Sequence, residues 1–363
     1  MTEVPFPPDV NISSCANWTK NSISSGNLRG PSTSSVTFEL PLSSEKLFLL
    51  SRGAAAGMVA VVSTNESMDN ARVQIVASYR HSKDLGGAQV CSINRGDKER
   101  GVGIFTRPWP KRDYVHYTII VYLPANSKTQ PLRIKNFETD LPLFSHSISQ
   151  LADVVHFDTL SLTTSMMPIN VASLSATKAL VKTSHAKIEG TFNTSSALEL
   201  STFNAPIKVN VGLLNKNTPD KTKLSMNTNR GPITATISLV STTKTRGQFN
   251  VSATTSLDAL ALTFTEAPVD SILSLNARSS FAPVTVKLHE TYEGAINVVT
   301  SLSRAEIVVD ESVEDPAGRR RMRAFNVWRM GKSHIQASVT WMPGTKLGSV
   351  NVETSMESAT IKL

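Results

Sequence analysis

"LELSTFNAPIKVNV", residues 198–211, reads as an alternating apolar strand, a short polar turn closed by proline, and a second alternating strand. The same unit recurs as "LSLTTSMMPINV" (160–171), "LVKTSHAKIEGTF" (180–192), "LSMNTNRGPITATI" (224–237), "FNVSATTSLDALALTF" (249–264), "LSLNARSSFAPVTVKL" (273–288), "INVVTSLSRAEIVV" (296–309) and "VNVETSMESATIKL" (350–363). The aliphatic residue after the turn falls at Ile169, Ile188, Ile207, Ile233, Leu260, Val284 and Ile307, in steps of 19, 19, 26, 27, 24 and 23 residues. That is an internal repeat with loops of variable length. A two-strand unit buries its apolar face poorly alone, whereas units stacked about 4.8 Å apart share a continuous core and pair every backbone group. The repeat therefore predicts a β-solenoid. A sandwich of successive hairpins would show the same alternation and is the competing architecture.

Working outward, the chain divides into three parts. Residues 1–34, with "PFPPDV" and "NSISSGNLRGPSTSS", are polar and rich in Pro, Gly and Ser, as expected of a flexible arm. Residues 35–145 carry short alternating runs between turn residues and predict an antiparallel β domain. Residues 146–363 form the repeat, with an excursion over 315–349 that predicts a hairpin or an extra coil. The whole is expected to be all-β: aromatic residues are 6%, charged residues 18%, and runs of strong helix formers are scarce.

The repeated LxLxTxxxPIxV unit resembles the β-solenoid of the putative-adhesin domain family. "DPAGRRRMRAFNV", "ASVTW" and "GSVNVETSMESATIKL", with the earlier "FELPLSSEKLFLLSRGAAAGMVAVV", are similar to intracellular proteins of mushroom-forming fungi that share this fold. The resemblance implies a solenoid and, by its family name, adhesion; it brings no catalytic residue with it.

No basic and apolar leader is readable at the N-terminus, so an intracellular protein, or one exported without a leader, is expected. "LFLLSRGAAAGMVAVVS" (47–63) is broken by Ser51, Arg52 and Gly53 into two strand-sized halves, and no membrane span is expected. Cys15 and Cys91 have no metal-like spacing and agree with a reducing compartment.

Three places could carry function. Glu266, Glu290 and Glu311 each follow the second strand of consecutive repeats, and stacking in register would set them in a column one coil apart. Such a column suits a cation such as calcium, with Glu290, Asp310 and Glu311 as ligands, or a carboxylate pair for glycoside hydrolysis; splayed, it is only a solvated edge. In "FTRPWPKRDYVHY", Trp109 with Arg107, Arg112, Tyr114 and His116 offers a stacking surface with a basic rim for a sugar or a base, or else an ordinary cross-strand surface. "GRRRMR" (318–323) could grip phosphate or pair with Asp310, Glu311, Glu314 and Asp315.

The net charge of +8 is spread along both halves, which disfavours nucleic acid. HExxH, GxSxG and Gly-rich phosphate motifs do not occur, so a metal or nucleotide enzyme is not expected and no cofactor is implied. The reading is a non-enzymatic binding or structural scaffold for a polysaccharide or another protein, against a carbohydrate-active β-helix enzyme using the glutamate column, or a self-assembling structural protein. Because "VNVETSMESATIKL" stays strand-like up to Leu363, the last coil is expected to leave unpaired backbone groups and to associate with a second copy.

Overall fold

A computed structural model describes residues 6–17, 32–107, 115–125, 130–217, 219–341 and 348–363. These residues form 26 strands, and the only helical segment among them is a 3₁₀ turn at Ser82–Gly87. The chain makes two compact units, residues 1–176 with 180–183, and residues 177–179 with 184–363. Among the described residues no helix is long and apolar enough to cross a membrane.

The first unit contains β1 (Asn11–Cys15), β2 (Ser32–Pro41), β3 (Lys46–Arg52) and β4 (Ala56–Thr64). It continues with β5 (Asn70–Tyr79), β6 (Ala88–Arg95), β7 (Glu99–Thr106) and β8 (His116–Pro124). β9 (Leu132–Asp140), β10 (Phe144–Gln150), β11 (Val155–Thr163) and β12 (Ile169–Lys182) follow. They pair in two columns, β1–β6–β7–β3–β9–β11 and β2–β5–β8–β4–β10–β12. The antiparallel pairs expected here lie in β1–β6, β6–β7, β2–β5 and β5–β8, and the others are parallel. Alternation of apolar and polar residues reports which face is buried, not the direction of the neighbour, so the sequence could not distinguish the two kinds of pair.

Part of the segment read as a polar arm is in fact a strand. β1 pairs with β6, and Cys15 lies opposite Cys91 and is bonded to it in a disulfide. The two cysteines, expected to fit a reducing compartment, are thus joined; 76 residues separate them in sequence, and strand pairing brings them together. Phe6 packs edge-on against Phe105 at 4.8 Å, and Val10 joins the buried cluster of Phe48, Leu50, Cys91, Ile93 and Phe105.

The second unit begins with β13 (Ile188–Ser201), β14 (Ile207–Asn215), β15 (Thr222–Asn227), β16 (Ile233–Ser241) and β17 (Gln248–Thr254). Next come β18 (Leu260–Glu266), β19 (Ile272–Arg278), β20 (Val284–Lys287), β21 (Gly294–Thr300) and β22 (Ala305–Val308). β23 (Ala324–Met330), β24 (His334–Thr340), β25 (Gly348–Thr354) and β26 (Ala359–Lys362) complete it. One column runs β13–β15–β17–β19–β25–β21, in parallel register. The other runs β13–β14–β16–β18–β20–β26–β22, so that Ile188, Ile207, Ile233, Leu260 and Val284 stack as the repeat required. The solenoid-like, all-β architecture expected from the repeat is the one observed.

The stacking order departs from chain order in one respect. β25 lies between β19 and β21, and β26 between β20 and β22, so the C-terminal coil is interior. The expectation that it would offer unpaired N–H and C=O groups at a free end is corrected: both edges of these strands are paired. Close approach at the inserted strand depends on glycine, because a Cβ on Gly348 would lie 2.4 Å from the Leu273 carbonyl oxygen. The 315–349 excursion supplies β23 and β24, an antiparallel pair that lies along β21 as a cap.

The threonine of LxLxT explains how the turns stay in register. Thr202, Thr228, Thr255 and Thr354, all buried, donate to carbonyls of Ala186, Ala205, Gly231 and Ala282, each in the turn of a neighbouring coil. A buried carbonyl left without its donor costs about 1–3 kcal/mol, so Thr255→Val is expected to destabilise the protein by about that amount while Thr255→Ser retains most of it. Chemical denaturation of both variants measures the difference; equal midpoints for Val and wild type would remove the hydroxyl from the account.

Candidate functional site

The longer repeat steps of 26 and 27 residues place extra chain between the second strand of one coil and the first strand of the next. These loops connect β14 to β15, β16 to β17 and β18 to β19, and they rise side by side because the coils beneath them stack. With Arg319 from the loop before β23, they enclose a cleft of about 690 Å³. Its wall carries Asn217, Thr243, Arg246, Gln248, Asp270 and Arg319, and among the described residues no aromatic side chain lines it.

Local backbone conformation aims these groups. Asn217, Lys244, Arg246, Asp270 and Arg320 are the non-glycine residues with left-handed φ among those described, at 55°, 62°, 61°, 60° and 56°. Three of them line the cleft, Lys244 sits in the same loop as Arg246, and Arg320 adjoins Arg319. Asn and Asp accept this conformation readily; a Lys or Arg holds it at a cost of roughly 1 kcal/mol or more. Strained residues gathered at one concavity point to a site whose geometry is over-determined by its surroundings.

Hydrogen bonds supply that constraint. The buried Asn215 amide donates to the carbonyls of Asp220 and Gln248 at 3.0 and 3.1 Å, tying two loops to one side chain. Ser241 donates to Asn217 Oδ1 at 3.1 Å, Asn217 donates to Thr243, and Thr243 donates to the Thr245 carbonyl at 2.7 Å. The Arg246 N–H donates to Val269, joining the second loop to the third. The charged groups are held less tightly: Arg319 Nη1 stands 3.9 Å from Asp270 Oδ2, wide enough for an incoming oxygen to compete. The cleft thus offers amide, hydroxyl, carboxylate and guanidinium groups on a rigid frame, with two arginines against one aspartate.

The residues singled out from the sequence fare differently. Glu266 accepts a hydrogen bond from Ser238 at 2.6 Å. Glu266 and Glu290 both favour protonation of His289, but burial outweighs them and holds that imidazole below its ordinary range. Glu311 is not next in the column: β26 lies between β20 and β22, and the Asp310 N–H donates to the Leu363 carbonyl. The strand before Glu290 and the strand before Asp310 and Glu311 thus have β26 between them, and among the described residues no three His, Cys, Asp or Glu side chains gather as a cation site. Arg107 and His116 are exposed, whereas Trp109, Arg112 and Tyr114 lie outside the described residues. In "GRRRMR", Arg321 binds Asp315 at 2.8 Å and stands 3.5 Å from Glu293, both partners nearly buried. This is the pairing reading of that run, and it holds the Asp315 carboxyl far below the usual carboxylate range.

Sequence reasoning missed the cleft. Its signal was the jump in repeat length from 19 to 26, which marked inserted loops but could not show that they converge.

No protein-family model matches the chain, and no curated protein matches it in sequence. Two solved structures align with it at low similarity. One is described as a "putative cell adhesion protein" from Clostridium sporogenes, 10% identical, with 92% of this chain and 99% of that one aligned at a TM-score of 0.23. The other is described as a "putative adhesin" from Parabacteroides merdae, 11% identical, with 71% of this chain and 91% of that one aligned at a TM-score of 0.30.

Proposed function

We propose that this protein is a non-enzymatic binding scaffold whose loop cleft takes a carboxylated polysaccharide. The observation that carries the reading is the convergence of Arg246, Arg319 and Asp270 with the Asn217 and Gln248 amides on a strained, hydrogen-bonded frame. Planar polar side chains match the paired hydroxyls of a sugar, and a guanidinium recognises a carboxylate through two parallel hydrogen bonds. Two arginines against one aspartate favour an acidic sugar over a neutral one. The carbohydrate-active alternative needs paired carboxylates: Glu266 ends β18 and Glu290 follows the adjacent strand β20, and these are the pair it would use, whereas Glu311 follows β22, beyond β26.

A polysaccharide panel tests this, with polygalacturonate and hyaluronan as acidic probes and dextran as the neutral control. Binding of an acidic polymer without release of reducing ends is expected, weakened at least tenfold by Arg246→Ala and by Arg319→Ala. Turnover that disappears in Glu266→Gln or Glu290→Gln would replace this reading with the enzymatic one; no binding to any polymer would overturn it.

A further inference from the structure

β2 begins one of the two columns of the first unit, and β5 is its one partner strand among the described residues, which leaves its other edge open among them. The pairing with β5 runs from Ser32 to Pro41 without a bulge. The one ionisable residue of β2, Glu39, lies opposite Arg72 and accepts from the Asn70 amide at 2.9 Å. An open edge recruits other chains unless it is short, bulged, or guarded by lysine or proline. β1 is guarded, with five residues and a bulge after Ile12, and so is β23, which is bulged between Val327 and Arg329. β2 has ten residues, no lysine, and proline only at its last position.

The apolar face of the column also runs out at this strand. Ala71, Val73, Ile75 and Ala77 of β5 are wholly buried, and opposite them on β2 stand Leu40, Phe38, Val36 and Ser34. Opposed residues of an antiparallel ladder share a face, so these four continue the core-facing row. Leu40 and Ser34 are buried, but Val36 and Phe38, in the middle of the strand, are only half-buried. Their counterparts on β5 have β8 on the far side; Val36 and Phe38 have no such strand among the described residues.

We propose that β2 is a homodimer interface, in which the β2 strands of two copies pair antiparallel about a two-fold axis at Thr37. This is the register that sets the half-buried Val36 of each copy opposite Phe38 of the other, and a slip of one residue would turn the core-facing row against the solvent-facing one. Glu39 then lies opposite Ser35, so no charge of one strand meets a charge of the other. A second copy fits because the strand is complementary to itself in this way. Pairing over residues 33–41 makes about ten backbone hydrogen bonds, the number found in a standard protein–protein interface. The same strand serves on both copies, so the contact closes at two.

Light scattering and sedimentation on the full chain test this. The wild type is expected to be a dimer. Thr37 is exposed, and Thr37→Lys sets two ammonium groups against each other across the axis. This variant is expected to keep its circular dichroism spectrum and to dissociate about fivefold more readily. Because Thr37 alone faces its own counterpart, Thr37→Cys is expected to form an intermolecular disulfide on oxidation, and Glu39→Cys to form none. A wild type that is monomeric at every accessible concentration, a Thr37→Lys dimer as tight as wild type, or cross-linking at position 39 in place of 37 would each overturn the proposal.

Discussion

Acidifying the solution from pH 7 to pH 4 is expected to remove about 3 kcal/mol of stability through one side chain, His146. The residue is wholly buried in the first unit; Nδ1 lies 3.2 Å from the Phe144 carbonyl, and Nε2 lies 2.8 Å from Thr139 Oγ1. A carbonyl only accepts, so Nδ1 carries the proton of the neutral ring and Nε2 accepts from the threonine hydroxyl. Burial pushes the imidazole down from 6.5 to about 4, with the Phe144 carbonyl offsetting part of the shift. Between those values the unfolded chain binds a proton that the folded chain refuses. The stabilisation is therefore complete above about pH 6.5 and declines as pH falls toward about 4.

His289 and His334 are depressed as well, so wild type must be compared with His146→Gln rather than with theory. The depressed Asp315 carboxyl acts in another window: its stabilisation is present above its ordinary value of 3.8 and is lost only below it. The variant is expected to lack about 3 kcal/mol of the wild-type pH dependence between pH 7 and pH 4. Parallel stability curves for the two proteins would show that His146 protonates freely in the native state.

Loss of the Cys15–Cys91 bond is the second large effect, expected at about 4 kcal/mol in the chain-entropy account for a loop of this size. The bond spans 76 residues and fastens β1 to β6, beside the cluster of Val10, Phe48 and Phe105. Its removal frees the 6–17 segment, so Cys91→Ala should also expose that segment to limited proteolysis. Denaturation with and without a reducing agent measures the energetic part. Identical midpoints, or two thiols titrating in the native oxidised protein, would show that the bond contributes nothing.

Much of the second unit was legible in the sequence because its cause is local. The alternation in "LELSTFNAPIKVNV" sets which side chains face inward, and the threonine and proline set where the chain turns; both act within a dozen residues. Stacking then follows, because a coil whose apolar face and backbone groups need a partner meets a near copy of itself along the chain. The buried threonine ladder and the register from Ile188 through Val284 are consequences of that repetition.

Three other features belong to the tertiary structure alone. A coil pairs equally well with any neighbour of matching pattern, so nothing local required the C-terminal coil to slip between β20 and β22. That insertion set β26 between the strands that precede Glu290 and Glu311. The disulfide joins residues 76 positions apart, and only antiparallel pairing of β1 with β6 sets them opposite each other. The cleft draws Asn217, Arg246, Asp270 and Arg319 from four separate loops, so repeat length announced the loops while long-range packing made them a site. Short-range periodicity determines a coil; the order in which coils meet is a choice among near-equal partners, settled by the energy of the whole stack.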